Sequence, residues 1–418
     1  MAILRPFRAL RPAPEVVKDV AALPYDVYNR AEATEFVKNR PLSFLNIDRA
    51  ETGFDESVST YDDRVYARAD RLLREFEEKG IFIQEKEPCY YVYSLTMGDI
   101  TETGLVALSS VDDYLNNVIL KHENTRADKE ADRIRHVSET SAQTGPIFLA
   151  YRDVPEISAM IRRATEEKPL YDFTAEDGIR HVFWRIGEAE TVEKITGLFA
   201  NVPHTYIADG HHRAASAVKV GVQRRAAKPG FTGNEEFNYF LSVLFPESEL
   251  RIFDYNRVVK DLNGRSSEEF LSEIGKCFKV EAVSKEGTPY RPENKGDFGL
   301  LLDGTWYRLT VREEVLEAVS GDPVKSLDVS ILQEYLLRPV LGIEDPKTDK
   351  RIDFVGGIRG LKELERRVHT DMKLAISMYP TSMQELLSVA DAGLLMPPKS
   401  TWFEPKLRSG IAIHKIER

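Results

Sequence analysis

Two cysteines in 418 residues leave little room for disulfide chemistry. Cys89 and Cys277 lie far apart and form no CxxC pair, so neither a disulfide framework nor a zinc ribbon is expected, which fits a reducing cytoplasm. Long apolar runs are missing too. No stretch approaches about 18 consecutive apolar residues, so no membrane span is expected, and "MAILRPFRALRPAPEVV" carries no signal-peptide core. Basic charge is in deficit. A net charge of -11 argues against broad binding to nucleic acid, yet it leaves room for a local basic pocket facing an anionic small molecule. Internal repeats and low-complexity segments are absent. So are HExxH, GxSxG, a GxGxxG after a strand and the kinase HRD set. No sequence feature fixes an oligomeric state.

What remains is a globular composition, 42% hydrophobic and 30% charged, on a chain long enough for two or three domains. Pro6, Pro12, Pro14 and Pro24 keep the first thirty residues extended. Residues 61–79 place Val65, Leu72, Leu73 and Phe76 on one helical face, ended by Gly80. Strands are predicted at 89–97, 101–111, 145–151, 181–186 and in "HTYIADG", with a helix at 188–199. Later strands are predicted at 239–245, 297–303 and 305–311, the last two joined by Asp303-Gly304. Helices are predicted at 266–276, 328–338 and 359–369, with Asp328 as an N-cap. Strands and helices mix without strict alternation, which predicts an α/β or α+β fold with a mixed sheet. The polar segment 221–235, with Pro229, Gly230 and Gly233, reads as a linker. It divides the chain into 1–225 and a C-terminal α/β part, 226–418, that returns to the site through 396–410.

Three stretches concentrate chemistry. In "YIADGHHRAASAVKV" (206–220) a strand ends in Asp209-Gly210 and a helix begins. The first N–H groups of such a helix and its dipole favour an anion. Gly210 admits close backbone approach, Arg213 offers a fork for phosphate oxygens, and His211 and His212 add donors that also move protons. Asp209 is out of place beside a phosphate unless it holds a metal, accepts a proton or binds a hydroxyl; the plain alternative is an N-cap beside packed or solvated histidines. In "LKHENTRADKEADRIRHV" (120–137), Thr125, Lys129, Arg133 and His136 share one helical face, preceded by Lys121, His122 and Glu123, although Asp128, Glu130 and Asp132 equally make ordinary surface pairs. In "MPPKSTWFEPKLRSG" (396–410), prolines stiffen a loop carrying Lys399, Ser400, Thr401, Lys406 and Arg408, suited to wrap phosphates, while Trp402 and Phe403 equally suit core anchors. Tyr25 and Asp26 in "PYDV" are placed to line a cleft, and Asn256 and Arg257 in "FDYNRVV" suit a site or a buried structural pair equally. His211 and His212 with His122 and Glu123 form a zinc candidate set, but adjacent helical histidines point about 100° apart and rarely share one ion.

"RPFRALRP", "LPYDV", "KHENT", "ADGHHR", "LDVSIL" and "MPPKSTWFEPK" together resemble the bacterial and archaeal family known as domain of unknown function 1015, from Arg5 to about Ile413. "ADGHHR" is also similar to the nucleotide-binding signature of the ParB and sulfiredoxin superfamily, which includes free-serine kinases. That resemblance implies a ParB/sulfiredoxin-like core with large insertions. It also implies a kinase of small molecules that phosphorylates free L-serine from ATP or ADP with Mg²⁺. The chain departs from the DNA-binding members in lacking a helix-turn-helix, and from the sulfinic acid reductase in having no cysteine near the signature. On this reading Gly210, His212, Arg213, Lys399, Ser400, Thr401 and Lys406 hold nucleotide phosphates. Glu123, then Asp209, accepts the hydroxyl proton with His211 nearby. Tyr25, Asp26, His122 and Thr125 meet the substrate, and Asp209 is the candidate for Mg²⁺. The alternatives are a nucleotide-binding regulatory protein without turnover, and a metal-dependent hydrolase.

Overall fold

The structure is a computed structural model that describes residues 1–125 and 127–417. The chain divides into two units: Met1–Leu250 with the segment that begins at Pro405 (unit 1), and Arg251–Glu404 (unit 2).

Unit 1 is built on a nine-stranded mixed sheet. Its strands are β1 (Leu4–Arg5), β2 (Tyr90–Met97), β3 (Ile100–Ser110), β4 (Ile119–Leu120), β5 (Ile147–Tyr151), β6 (Tyr171–Thr174), β7 (Arg180–Ile186), β8 (Thr205–Asp209) and β9 (Tyr239–Pro246). The order is β4-β8-β5-β9-β3-β2-β7-β6, with β1 also on β3. Two pairs are parallel, β4 with β8 and β5 with β9. The apolar runs that signal strands are the inner ones: β5 is buried at every residue, and β9 at all but its first. The sheet core gathers Val92, Leu105, Leu149, Ile207 and Phe240. A second core forms under α1 (Asp63–Glu78), where Val65, Leu73 and Phe76 meet Phe44, Phe82 and Ile413; Leu72 packs at its edge.

Three further helices matter to unit 1: α2 (Ala127–Thr140), α3 (Ala189–Phe199) and α4 (His211–Ala227). The segment read as a linker is therefore helical as far as Ala227. Its polar residues brace the helix: Arg224 donates to the Ser138 carbonyl, and Arg225 to Asp112 and Asn238. The division of the chain falls after Leu250 instead, because β9 is an interior strand of the first sheet. The C-terminal segment rejoins unit 1 by backbone pairing of Ser409 with Ala22 and of His414 with Gln143.

Unit 2 contains a six-stranded sheet in which every pair is antiparallel. Its strands are β10 (Tyr255–Val259), β11 (Phe278–Lys285), β12 (Asp297–Leu302), β13 (Thr305–Val311), β14 (Ile352–Gly356) and β15 (Leu374–Met378), in the order β11-β13-β12-β15-β10-β14. The Asp303-Gly304 hairpin forms as expected, with both residues at positive φ. Helices α5 (Ser267–Ile274), α6 (Asp328–Leu332), α7 (Leu361–Thr370) and α8 (Met383–Asp391) accompany the sheet. The helix expected over 328–338 stops being α at Leu332 and continues as a π turn, Gln333–Leu337. Its N-cap position is Leu327, not Asp328. The Asp328 carboxylate instead accepts the Gly296 N–H.

Candidate functional site

Parallel pairing decides what meets at the opening corner. Ile119 and Leu120 of β4 pair with Thr205 and Tyr206 of β8, so the chain leaves both strands at the same edge of the sheet. His122 and Glu123 follow β4 as Gly210 and His211 follow β8. Gly210 is the N-cap residue of α4 with φ +89°, a left-handed conformation glycine adopts without strain. No side chain caps this 17-residue helix, so its first N–H groups remain directed out of its N-terminus.

Arg213 curls back over that N-terminus. A Cβ placed on Gly210 would lie 3.0–3.1 Å from the Arg213 guanidinium, which also donates to the Pro146 carbonyl. The placement of Asp209 answers the objection to a carboxylate here. Its Oδ1 accepts the Gly210 N–H at 2.8 Å and its Oδ2 accepts the Lys406 ammonium at 3.0 Å. Burial pushes its pKa upward, but Lys406 and Arg213 outweigh that and hold the carboxyl well below the usual range. Asp209 is thus an ionised, charge-paired brace and not the helix cap. Both oxygens are engaged, which does not suit a direct Mg²⁺ ligand.

His211 turns inward and is 7% exposed, whereas His212 is half-buried. The His211 ring meets the His122 ring edge-on, with centroids 4.5 Å apart and planes at 85°. Burial holds the His122 pKa at about 4 and puts His211 well below the usual histidine value, so both imidazoles are neutral near pH 7. Glu123 stands exposed beside them.

On the other side of Arg213 lies a small cavity of about 30 Å³, lined by Tyr25, Asp48, Arg133, Thr144, Arg213 and Ser409 among others. The Arg133 guanidinium sits 4.0 Å from the centre of the Tyr25 ring and is paired with Asp132. Burial pushes the Tyr25 hydroxyl up to about 12, and the hydroxyl has no hydrogen-bond partner among the described residues. Asp26 is exposed. Asp48 accepts the Thr144 hydroxyl at 2.8 Å. Asp48, Thr144 and Ser409 escape sequence reading, although a carboxylate inside the apolar run "FLNID" was a usable signal.

One expected grouping is corrected. Thr125 precedes α2, and its hydroxyl donates to Glu130, which also pairs with Lys219. It therefore shares no helical face with Arg133 and His136, which are buried, or with Lys129, which is half-buried. The division of the chain falls within the 396–410 stretch. Lys406 belongs to unit 1, while Lys399, Ser400 and Thr401 belong to unit 2. There the Lys399 carbonyl accepts from Arg257, its ammonium lies 5.5 Å from the Tyr255 ring centre, and the Ser400 hydroxyl donates to Pro397. Asn256 donates to Asp254 and accepts the Met378 N–H, while Arg257 spends itself on backbone carbonyls, so the two are both structural but are not paired with each other.

No helix among the described residues is long and apolar enough to cross a membrane. No curated protein matches the chain. Among solved structures, it is similar to a mutant of a free serine kinase in complex with ADP, with 14% identity and a TM-score of 0.36, over 75% of this chain and 92% of that one. It is similar to a conserved hypothetical protein from Pyrococcus furiosus, with 14% identity and a TM-score of 0.33, over 74% and 94%. It is similar also to SbnI with C-terminal truncation from Staphylococcus aureus, with 11% identity and a TM-score of 0.36, over 72% and 82%. The family described as protein of unknown function, DUF1015, matches residues 4–330, and the chain belongs to that family.

Proposed function

We propose that unit 1 binds the phosphates of ATP or ADP at the Asp209–Arg213 corner and transfers a phosphoryl group to a hydroxyl of a small molecule, free L-serine in the first instance. The observation that carries this reading is the uncapped start of α4, overlain by Arg213 and flanked by Lys406. Directed N–H groups and a planar guanidinium are the parts that phosphate recognition needs. The choice of serine comes from the likeness of Asp209-Gly210-His211-His212-Arg213 to the signature of free-serine kinases. Mg²⁺ then arrives on the nucleotide's own phosphate oxygens, because Asp209 is already occupied by Gly210 and Lys406.

In the transfer, the acceptor oxygen bonds to phosphorus as the bond to the leaving phosphate oxygen breaks. The hydroxyl proton passes to Glu123. Of the two carboxylates at the corner, Glu123 is the better base, since Asp209 is stabilised in its ionised form and gains little from a proton. The test is a purified chain given serine, Mg²⁺ and either nucleotide, with O-phosphoserine read by mass spectrometry. Phosphoserine is the expected product. Nucleotide binding without turnover of any small hydroxyl compound would replace this reading with a regulatory one, and failure to bind either nucleotide would overturn both.

A further inference from the structure

We propose that His122, Glu123 and His211 form a binding site for one divalent first-row transition-metal ion, with zinc as the test case. One ligand atom from each of the three residues lies within 4.8 Å of the other two. The histidines are 2% and 7% exposed. Nε2 of His211 meets no hydrogen-bond partner among the described residues, and the backbone of Ile207, near enough to raise the His122 pKa, makes no well-aligned hydrogen bond with either His122 ring nitrogen. Leaving such buried polar atoms unsatisfied costs about 1–3 kcal/mol each, and two of them facing each other point to a shared ligand. A metal ion uses the neutral imidazole lone pairs directly.

The donor set selects the class of ion. Imidazole suits zinc, iron and nickel, whereas magnesium takes oxygen ligands and keeps its water. This site is therefore separate from nucleotide-borne Mg²⁺. Three protein ligands leave a coordination position open, the pattern of catalytic rather than structural zinc. The exposed Glu123 puts that position on the solvent side. Bound through one oxygen, Glu123 keeps the other for the acceptor's proton, so the base assigned above survives metal binding. His212 stays outside the set, as the helical angle between neighbours requires.

The proposal does not rest on kinase activity, and its test uses neither nucleotide nor serine. The full chain is stripped with a chelator, then titrated with Zn²⁺, and separately with Co²⁺ read by its visible absorption. One equivalent per chain is expected, with a rise in melting temperature on binding. Glu123→Gln, an exposed change that leaves the core intact, should weaken Zn²⁺ binding at least ~10-fold. His122→Asn and His211→Asn should each weaken it by about 100-fold or more. His369→Asn, in unit 2, should leave it unchanged. Absence of Zn²⁺ and Co²⁺ uptake by the stripped wild-type chain would overturn the proposal. So would uptake that Glu123→Gln and His122→Asn leave untouched.

Discussion

In unit 2 several buried polar groups complete one another, although Arg308 Nε and Gln333 Oε1 do not, whereas in unit 1 His122, His211 and Tyr25 are left incomplete near the Asp209–Arg213 corner. Glu365 accepts both the Trp306 indole N–H and the Gly287 N–H at 2.9 Å. Asp254 takes Asn256 at 2.6 Å and Arg291 at 2.9 Å, and Asp297 takes the Thr310 hydroxyl. Even Arg257, buried and facing no acidic side chain that shifts it, spends its guanidinium on the Tyr255 and Lys399 carbonyls. In unit 1, by contrast, His122, His211 and the Tyr25 hydroxyl are buried with unmet hydrogen-bonding capacity among the described residues. Native interiors rarely leave such capacity unused, and each exception calls for an explanation. The incomplete groups of unit 1 cluster beside the start of α4, where the proposed ligands would sit.

The change with the largest expected effect is Glu123→Gln. If the corner is catalytic, turnover should fall by about 100- to 10,000-fold, the usual worth of a positioned base, while nucleotide affinity holds. Initial rates and calorimetric nucleotide titration separate the two. Unchanged turnover would remove Glu123 from the chemistry.

Next comes a matched pair, one residue from each unit. Arg213→Ala should cost nucleotide affinity roughly 10- to 100-fold, the range for losing charge-assisted hydrogen bonds. Its cost in stability should stay near 1 kcal/mol, since one neutral bond to Pro146 is lost. Glu365→Ala should do the reverse. It orphans one buried donor, the Trp306 indole N–H, and should destabilise unit 2 by about 1–3 kcal/mol, visible as faster hydrogen exchange in β12 and β13. Equal stability losses from the two changes would erase the contrast between the units.

Several local features of both units are legible in the sequence alone. The Asp-Gly-His-His-Arg corner, the helix α1 and the Asp303-Gly304 hairpin all follow from local spacing, because strand ends, amphipathic faces and turn glycines are short-range properties. The boundary after Leu250 was not legible, since a polar stretch looks the same whether it links domains or braces a helix through Arg224 and Arg225. Nor was the meeting of His122 with His211. It depends on β4 lying parallel beside β8, a pairing across more than eighty residues that no local pattern encodes. Thr125 failed for the opposite reason: helical spacing was extended one turn too far, and its hydroxyl closes on Glu130.

Acidity offers a finer probe of the two units. In unit 1, Arg408 donates to His181 Nε2, which places the ring proton on Nδ1 toward the Tyr93 hydroxyl. Burial, with the Arg408 charge, lowers the His181 pKa to about 3. The unfolded chain takes up this proton near pH 6.5 and the folded chain does not. Its contribution is therefore whole above about pH 6.5 and lost as pH falls toward 3, a few kcal/mol in all. In unit 2, burial raises Asp328 to about 7 against the pull of the Gly296 N–H. Here the folded state holds the proton longer, so stability is greatest below about pH 3.8 and is lost as pH rises toward 7. Asp328→Asn should then stabilise unit 2 by about 1–3 kcal/mol above pH 7 and have little effect below pH 4. Hydrogen exchange at the two pH values, read separately in β7 and β12, would show opposite trends. A common trend in both strands would mean that other groups govern the response.

The smallest expected effect falls on the residue that looked most anomalous. Asp209→Asn keeps an acceptor for the Gly210 N–H and releases Lys406 from its ion pair. Removing a negative charge beside bound phosphates, at a partly exposed site, is worth about 1 kcal/mol, so nucleotide affinity should rise a few-fold. Turnover should change by less than about 10-fold, because an already stabilised carboxylate is a weak base. A collapse of turnover in Asp209→Asn with turnover preserved in Glu123→Gln would exchange the two roles. It would make the Lys406 pair part of the chemistry, and Glu123 a metal ligand alone.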